Sequence, residues 1–247
     1  MIVSGNFQTA KANRQAVTIL TGDVFGRTSI IANDGIEGGP HAFLVEQLPD
    51  VVLPPHFHLT DQFQVVLAGS GMLGRSHALE PLTVHYARGK TAYGPVVASS
   101  KGLFYLTLRP QTEYGAHYLS DPKTVVDRRA PKFHTTSSAV LPATVDELAS
   151  RQTASQTDMI PADANGLAVW LSRLPVGAPL SVSAQEQPAG RFYVVTGGSV
   201  VLQGETLVPW SCVWMSANEP STQIVAGPQG AELLTLQFPS ELKEPCP

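Results

Sequence analysis

The sequence has few charged residues and no long apolar run. Lys, Arg, Asp and Glu make up 15% of its 247 residues, the net charge is −4, and no cluster of Lys or Arg occurs. Nucleic acid is therefore not an expected partner, because binding a phosphate backbone requires a basic surface. No stretch of about 18 apolar residues is present, so a membrane is not expected as a partner either.

Cysteine is also scarce, since only Cys212 and Cys246 occur. Two cysteines make a poor disulfide framework, and the chain does not open with a charged segment followed by an apolar one. We therefore expect reduced thiols and a cytoplasmic location. What is abundant is glycine and proline, 21 and 20 residues, between short runs of Val, Leu, Phe and Tyr such as residues 103–108. This pattern predicts an all-β chain.

Two blocks of the sequence recur at a nearly constant separation. Phe63-Gln-Val-Val-Leu-Ala-Gly-Ser matches Phe192-Tyr-Val-Val-Thr-Gly-Gly-Ser, and 129 positions separate Gly69 from Gly198. In the second pair of blocks 128 positions separate Gly102 from Gly230, so one single-residue deletion reconciles the two. The repeat predicts two similar domains, residues 1–135 and 136–247, rather than a solenoid.

The second predicted domain begins with a connecting segment rich in Ser, Thr, Ala, Pro and Gln. Within it Thr144-Val-Asp-Glu147 has the spacing of a capping box, in which the threonine and glutamate side chains bond the amides of a helix start. A short helix is therefore predicted over residues 145–151.

Two histidines in Pro54-Pro-His-Phe-His-Leu-Thr-Asp-Gln62 are the strongest candidates for chemistry. His56 and His58 are two residues apart, so on an extended strand both imidazoles point to the same face. Two neutral imidazoles and a third polar group could hold a divalent transition metal ion.

This segment resembles the first motif of the cupin superfamily: Pro-x-His-x-His, a polar residue four positions on, and glycine seven beyond that. Arg88-Gly-Lys-Thr-Ala-Tyr-Gly-Pro95 stands where the second motif, Pro-x-Gly-x-x-His-Gly-Pro, is expected. The resemblance covers residues 43–109 and 169–238, so the chain resembles a bicupin. It implies two double-stranded β-helix (jelly-roll) barrels with few short helices, each barrel enclosing any active site.

Two positions depart from the cupin pattern. Gln62 replaces the usual glutamate and Tyr93 replaces the usual last histidine. The resemblance implies a metal ion (Fe, Ni, Mn, Cu or Zn) held by His56, His58 and Gln62. Tyr93 would complete the shell as a phenolate, donate a proton to a substrate, or only form a hydrogen bond across the pocket. The alternative is a pair of relic histidines in a barrel without metal.

Other polar residues are weaker candidates. Glu46, one strand upstream of the histidines, is either a general base in the same pocket or a carboxylate facing solvent. His85 aligns with Val213 and is either a substitute ligand or a core imidazole. The second copy has Gln185, Gln187, Arg191 and Ser221 at the matching positions. No metal set is expected there, and Arg191 either clamps a carboxylate or is satisfied by an acid such as Glu186.

The resemblance to quercetinase-like dioxygenases implies a metal-dependent enzyme that acts on a small aromatic or enolic molecule in the N-terminal barrel. Because Gln62 cannot accept a proton as glutamate does, an isomerase or cyclase is a close second. The alternative is a non-catalytic, small-molecule-binding or structural bicupin without metal. A homodimer is expected, because a second chain commonly covers the edges of jelly-roll sheets.

Overall fold

The computed structural model describes residues 1–32, 38–113, 115–181, 189–217, 219 and 222–240. In this part of the chain the regular structure is antiparallel β-sheet with short helical segments. Two compact units are present: Ala10–Leu141, the N-terminal unit, and Met1–Thr9 together with Pro142–Pro247, the C-terminal unit. No helix in the described ranges is long and apolar enough to cross a membrane. The predicted all-β fold is confirmed.

Strands far outnumber helices among the described residues. The elements up to residue 136 are β1 (Ile2–Gly5), α1 (Phe7–Ala10), a 3₁₀ turn (Lys11–Asn13), β2 (Arg14–Thr18), β3 (Val24–Ile31), β4 (His41–Gln47), β5 (Val52–Leu53), β6 (His56–Phe57), β7 (Gln62–Leu73), β8 (His77–Leu79), β9 (Val84–Ala87), β10 (Val96–Arg109), β11 (His117–Tyr118) and β12 (His134–Thr136). Those after it are α2 (Val145–Ala149), β13 (Ser155–Ile160), β14 (Ala168–Leu174), β15 (Pro179–Ser181), β16 (Gly190–Leu202), β17 (Glu205–Leu207), β18 (Cys212–Ser216) and β19 (Gln223–Gln237).

The central strands of the two units have the same arrangement, and the N-terminal unit has additional strands. In the N-terminal unit the order is β12-β9-β7-β10-β4-β3-β2, with β8 on β7, β5 on β10, and a separate pair β6-β11. In the C-terminal unit it is β1-β18-β16-β19-β14-β13, with β17 on β16 and β15 on β19. The long strands β7 and β10 thus correspond to β16 and β19, which contain the repeated sequence blocks.

The same glycines mark the centre of both long strand pairs. Gly69 has φ +74° and Gly198 has φ +63°, a backbone conformation that favours glycine. A Cβ atom on Gly69 would overlap the carbonyl oxygen of Gly102, and one on Gly198 would overlap that of Gly230. These four glycines are the residues that the repeat aligned, so each pair allows two backbones to approach closely at equivalent places.

The division of the chain differs from the predicted boundaries at two places. β1 pairs antiparallel with β18, from Ile2 opposite Met215 to Gly5 opposite Cys212. Residues 1–9 therefore lie in the C-terminal unit, although the sequence placed them in the first domain. The N-terminal unit also extends beyond residue 135, to Leu141.

The predicted helix begins where its capping box indicates. The Thr144 side chain accepts a hydrogen bond from the Glu147 amide, and the Glu147 carboxylate accepts one from the Thr144 amide. The helix ends at Ala149, two residues earlier than predicted, because Ser150 is its C-cap. The start of the prediction is confirmed and its end is wrong.

Each unit has its own apolar core, because alternate residues of the central strands point to one face. The N-terminal core includes Phe25, Val45, Val66 and Tyr105, and the C-terminal core includes Tyr193, Val195, Val213 and Leu233. The N-terminal unit also buries several polar side chains, among them His56, His58, Gln62 and Arg109. Buried polar groups need partners, so this cluster is where a functional site is to be sought.

Candidate functional site

A cavity of ≈ 130 Å³ lies in the N-terminal unit. Its polar end is lined by His56, His58, Gln62, Tyr93, Arg109 and Glu113. Its apolar lining includes Val17, Ile19, Phe25, Phe43, Val45 and Leu53. An engineered protein cavity of about 150 Å³ admits benzene. The space therefore suits a molecule with about one ring, with polar groups at one end.

The strand pairing explains why these side chains meet. His56 starts β6 and forms two backbone hydrogen bonds with Tyr93, 3.1 Å from its amide to the Tyr93 carbonyl and 3.0 Å in the reverse direction. Gln62 is the first residue of β7 and Arg109 the last residue of β10. Because β7 and β10 are antiparallel neighbours, these two ends lie side by side. The four predicted residues His56, His58, Gln62 and Tyr93 all line the one cavity.

A chain of hydrogen bonds connects His56, Tyr93 and Gln62. His56 Nδ1 lies 2.8 Å from the carbonyl oxygen of Pro54. A carbonyl oxygen only accepts, so Nδ1 carries the proton and Nε2 remains as an acceptor. The Tyr93 hydroxyl lies 3.0 Å from Nε2 and donates to it, while the Gln62 amide nitrogen donates to the same hydroxyl oxygen. Gln62 Oε1 is thereby directed away from Tyr93.

Arg109 is buried at 4% exposure beside this chain. Its Nε donates to Gln62 Oε1 at 3.1 Å, and its Nη1 donates to the backbone oxygen of Glu113 at 3.0 Å. Its Nη2 lies 3.1 Å from both ring nitrogens of His58. Among the described residues no carboxylate lies within ion-pair distance of this guanidinium. The site therefore contains a buried positive charge whose bonded atoms are neutral.

Glu113 was not among the predicted site residues. Its carboxylate accepts from the Leu59 amide at 2.8 and 2.9 Å and from the Thr60 amide at 3.2 Å. It also lies 3.6 Å from His58 Nδ1 and 3.7 Å from His117 Nε2. Glu113 thus holds the segment that follows His58 and lies beside the His58 ring. The one sequence signal was a charged pair, Arg109 and Glu113, directly after an apolar strand.

Burial sets the protonation of the site. Burial, together with a smaller effect of neighbouring His58, lowers the pKa of His56 to about 3. Burial also lowers the pKa of His58, although the hydrogen bond to Glu113 opposes this shift. Burial raises the pKa of the Tyr93 phenol. At neutral pH the polar end therefore has two neutral imidazoles and a neutral phenol beside the Arg109 guanidinium, with the ionised Glu113 carboxylate next to His58.

Two other candidates lie elsewhere. The Glu46 carboxylate accepts from Arg14 Nε at 2.9 Å and from Nη2 at 2.7 Å, and Glu46 does not line the cavity. His85 Nδ1 is 2.9 Å from Gln64 Oε1, and the His85 ring packs edge-on against Tyr93 at 4.9 Å. Glu46 is therefore paired with Arg14, and His85 packs against the Tyr93 ring without lining the cavity.

The C-terminal unit contains an arginine–glutamine pair like Arg109 and Gln62, but each residue type stands on the other strand. Arg191 Nε donates to Gln237 Oε1 at 2.7 Å, directly across β16 and β19. By the repeat, Arg191 corresponds to Gln62 and Gln237 corresponds to Arg109. The same arginine–glutamine bond therefore occurs in both units with its charge on opposite strands. Gln185, Gln187, Glu186 and Ser221 lie outside the described residues.

The polar end of the cavity does not fit a divalent metal ion. Of the three expected ligands, Gln62 Oε1 accepts from Arg109 and His56 Nε2 accepts from Tyr93. His58 lies against the guanidinium, whose charge is permanent. Within the described ranges no group of three or more His, Cys, Asp or Glu side chains could hold a metal ion. The residues expected as metal ligands therefore have the positively charged Arg109 side chain among them.

Comparison with known proteins supports the fold. No protein-family model and no curated protein matches the sequence. A provisionally named dioxygenase from Nostoc punctiforme is 13% identical, with a TM-score of 0.64 over 100% of this chain and 85% of that chain. Quercetin 2,3-dioxygenase from Acinetobacter baumannii is 13% identical, with a TM-score of 0.53 over 98% and 79%. Bacterial pirin from Escherichia coli, solved in complex with nickel(II), is 11% identical, with a TM-score of 0.56 over 97% and 100%.

At these identities the likeness shows the fold alone. The two-barrel cupin fold predicted from the sequence is confirmed. The similar structures include a cupin that binds nickel and one that is a quercetin dioxygenase, and these properties belong to those proteins.

Proposed function

We propose that the N-terminal unit binds a small organic carboxylate. The observation that carries this proposal is the buried guanidinium of Arg109, which lacks a carboxylate partner among the described residues. Removing a charge from water is costly unless the charge is paired. Of the five N–H groups of an arginine, the bonds to Gln62, Glu113 and His58 engage three. Glu113 is the nearest described carboxylate of the cavity and lies beyond ion-pair distance of the guanidinium. The fork geometry of the guanidinium suits a carboxylate ligand that pairs with it directly.

The shape of the cavity limits the rest of the ligand. Phe43 and Val45 line the cavity beside Arg109, and Ile19 and Phe25 extend the apolar surface. The Arg109 guanidinium lies 5.5 Å from the centre of the Phe43 ring. A carboxylate with an apolar body of about one ring would therefore place its charge on Arg109 and its body against Phe43.

Calorimetric titration with benzoate tests the proposal, with benzamide as a neutral probe of the same shape. We expect saturable binding of benzoate and at least tenfold weaker binding of benzamide. Arg109→Gln should weaken benzoate binding about 10- to 100-fold, because a hydrogen bond to a charged group is worth about 1.5–3 kcal/mol. Arg191→Gln, which removes the arginine of the corresponding arginine–glutamine pair in the C-terminal unit, is the control and should leave the affinity unchanged. Equal binding of benzamide and benzoate, or an unchanged affinity in Arg109→Gln, would refute the proposal.

A second candidate function is proton transfer on the bound carboxylate. His58 supports it, because this neutral imidazole lies between Arg109 and Glu113 and lines the cavity. A carboxylate on Arg109 would bring its neighbouring carbon near this base. Transfer of a proton from that carbon to His58 would leave an enediolate with two negative charges, and the guanidinium stabilises the second charge as it develops on the carboxylate oxygens. Exchange of that carbon's protons for deuterium, followed by NMR on phenylacetate in D₂O, tests this function. His58→Gln should abolish the exchange and leave binding measurable, and equal exchange in both proteins would contradict a base role for His58.

The dioxygenase predicted from the resemblance does not enter this proposal. In that prediction a metal ion on His56, His58 and Gln62 binds the substrate. In this chain the side chains that would bind the metal ion lie around the guanidinium of Arg109 instead. The isomerase or cyclase predicted as a close second was also metal-dependent. The proton transfer proposed here belongs to the same class of reaction but uses acid–base groups alone.

A further inference from the structure

We infer that Arg109 replaces the metal ion of this fold, so that the pocket contains its positive charge as a side chain and excludes divalent cations from His56 and His58. The guanidinium forms its bonds with two of the three residues that would have been ligands, Gln62 and His58. It is 4% exposed and is therefore a fixed part of the cavity wall rather than a surface group.

The surroundings of both histidines are those of metal ligands. A ligating histidine almost always donates its other ring N–H to a backbone carbonyl or a carboxylate. His56 Nδ1 does so to the Pro54 carbonyl at 2.8 Å, and His58 Nδ1 lies 3.6 Å from a Glu113 carboxylate oxygen. The outer partners of a metal site are therefore present, while an acidic ligand is replaced by Gln62. This combination makes the cation on Arg109 the feature that decides whether a metal binds.

Electrostatic repulsion gives the direction of the effect. A guanidinium and a divalent ion about 4 Å apart repel each other enough, even at the dielectric constant of water, to weaken binding about 30-fold. In a buried site the repulsion is stronger. Removing the charge should therefore increase the affinity for a metal ion by about 30-fold or more.

The test uses tag-free protein titrated with NiCl₂ by calorimetry and with CoCl₂ by visible absorption, in a buffer free of carboxylates. We expect no metal binding to the wild-type cavity and one bound ion in Arg109→Ala. Arg109→Lys, which retains a positive charge, is the matched control and should bind no metal at this site. His56→Ala and His58→Ala together, added to Arg109→Ala, should abolish the gained binding and its absorption band. Circular dichroism checks that each variant is folded.

Several outcomes would overturn the inference. One is wild-type binding of nickel that disappears in the His56→Ala, His58→Ala protein. Another is a folded Arg109→Ala protein that gains no metal binding. If Arg109→Ala does not fold, Arg109→Gln replaces it, because glutamine already occupies the matching position 237 of the C-terminal unit. If neither folds, the wild-type titration decides alone.

This inference shares Arg109 with the proposed function but does not depend on a carboxylate ligand. A protein that binds neither benzoate nor nickel would contradict the proposed function and leave the replacement of the metal intact. A protein that binds nickel through His56 and His58 would contradict the replacement, whatever its affinity for benzoate. The two titrations therefore separate the two statements.

Discussion

Replacing Glu113 with glutamine should destabilise the segment that carries His58. The carboxylate of Glu113 accepts from the amides of Leu59 and Thr60, and its side chain is only 9% exposed. Glutamine has nearly the same shape but replaces one carboxylate oxygen with an NH₂ group. The Leu59 amide lies within 2.9 Å of both carboxylate oxygens, so in either orientation of the glutamine it also faces the NH₂ group. The Thr60 amide bonds only Oε2 and at best keeps a neutral acceptor there.

The size of this effect follows from the hydrogen bonds that change. A hydrogen bond to a charged group contributes about 1.5–3 kcal/mol and a neutral one about 1 kcal/mol. Changing the acceptor from charged to neutral costs about 1 kcal/mol at each of the two amides, and the NH₂ group beside the Leu59 amide adds to this, so Glu113→Gln should cost about 2–3 kcal/mol in total. Since the loss is local, the amides of Leu59 and Thr60 should exchange about 30-fold faster or more.

Hydrogen–deuterium exchange of the peptide containing residues 56–62 measures this directly. Tryptophan fluorescence is unsuitable, because Trp170, Trp210 and Trp214 all lie in the C-terminal unit. Glu46→Gln is the matched control: its carboxylate bonds the side chain of Arg14, which is 53% exposed, and removing a surface ion pair changes stability by at most about 1 kcal/mol.

The pH dependence gives a second readout. Burial raises the pKa of Glu113, but the hydrogen bonds from His58 and the Leu59 amide outweigh burial and hold it below its ordinary value of 4.5. A carboxyl group whose pKa is lower in the folded state stabilises the fold above its ordinary pKa, and this stability is lost as the pH falls through the folded value. Wild-type protection should therefore fall in acid below about pH 4.5, and Glu113→Gln should lack this loss. Unchanged protection at Leu59 and Thr60, or the same acid dependence in both proteins, would refute the reasoning.

Three further predictions concern other parts of the molecule. Gly69→Ala and Gly198→Ala should each cost about 3 kcal/mol or more, measured by urea unfolding, because a Cβ there meets a backbone carbonyl at positive φ; a cost under about 1 kcal/mol would contradict the close approach. Gln62→Arg alone should strongly lower the free energy of unfolding, because it places two buried arginines side by side. Adding Arg109→Gln should recover most of the lost stability, since the C-terminal unit has the arginine–glutamine bond in this orientation. If the costs of the two substitutions were simply additive, the pairing would be contradicted. His56, whose pKa burial lowers to about 3, should remain neutral in ¹⁵N NMR spectra down to about pH 4, and protonation near pH 6.5 would show that the ring is not buried.

The sequence predicted the features that depend on local pattern. The repeated blocks indicated two similar barrels, and the spacing of His56 and His58 placed both rings on one face. Glu46 was proposed as a base because it lies one strand upstream, but alternation along β4 decides its direction: Phe43 and Val45 line the cavity, and the next residue points to the opposite face.

The residues that the sequence did not reveal depend on long-range pairing. Arg109 meets Gln62 only because the end of β10 lies beside the start of β7, 47 residues away in the chain. Glu113 meets Leu59 across 54 residues. Neither contact follows from spacing within a motif, and both determine the charge of the site. The homodimer and the cytoplasmic location stay predictions.

The pairing of β1 with β18 has a consequence for the order of folding during synthesis. Residues 10–141 form one continuous stretch, so the N-terminal unit can be completed while the ribosome is still translating the second half. The hydrogen bonds between β1 and β18 can form only after Cys212–Ser216 has been synthesised. Residues 2–5 are therefore made before residues 10–141 but are incorporated into a sheet after them.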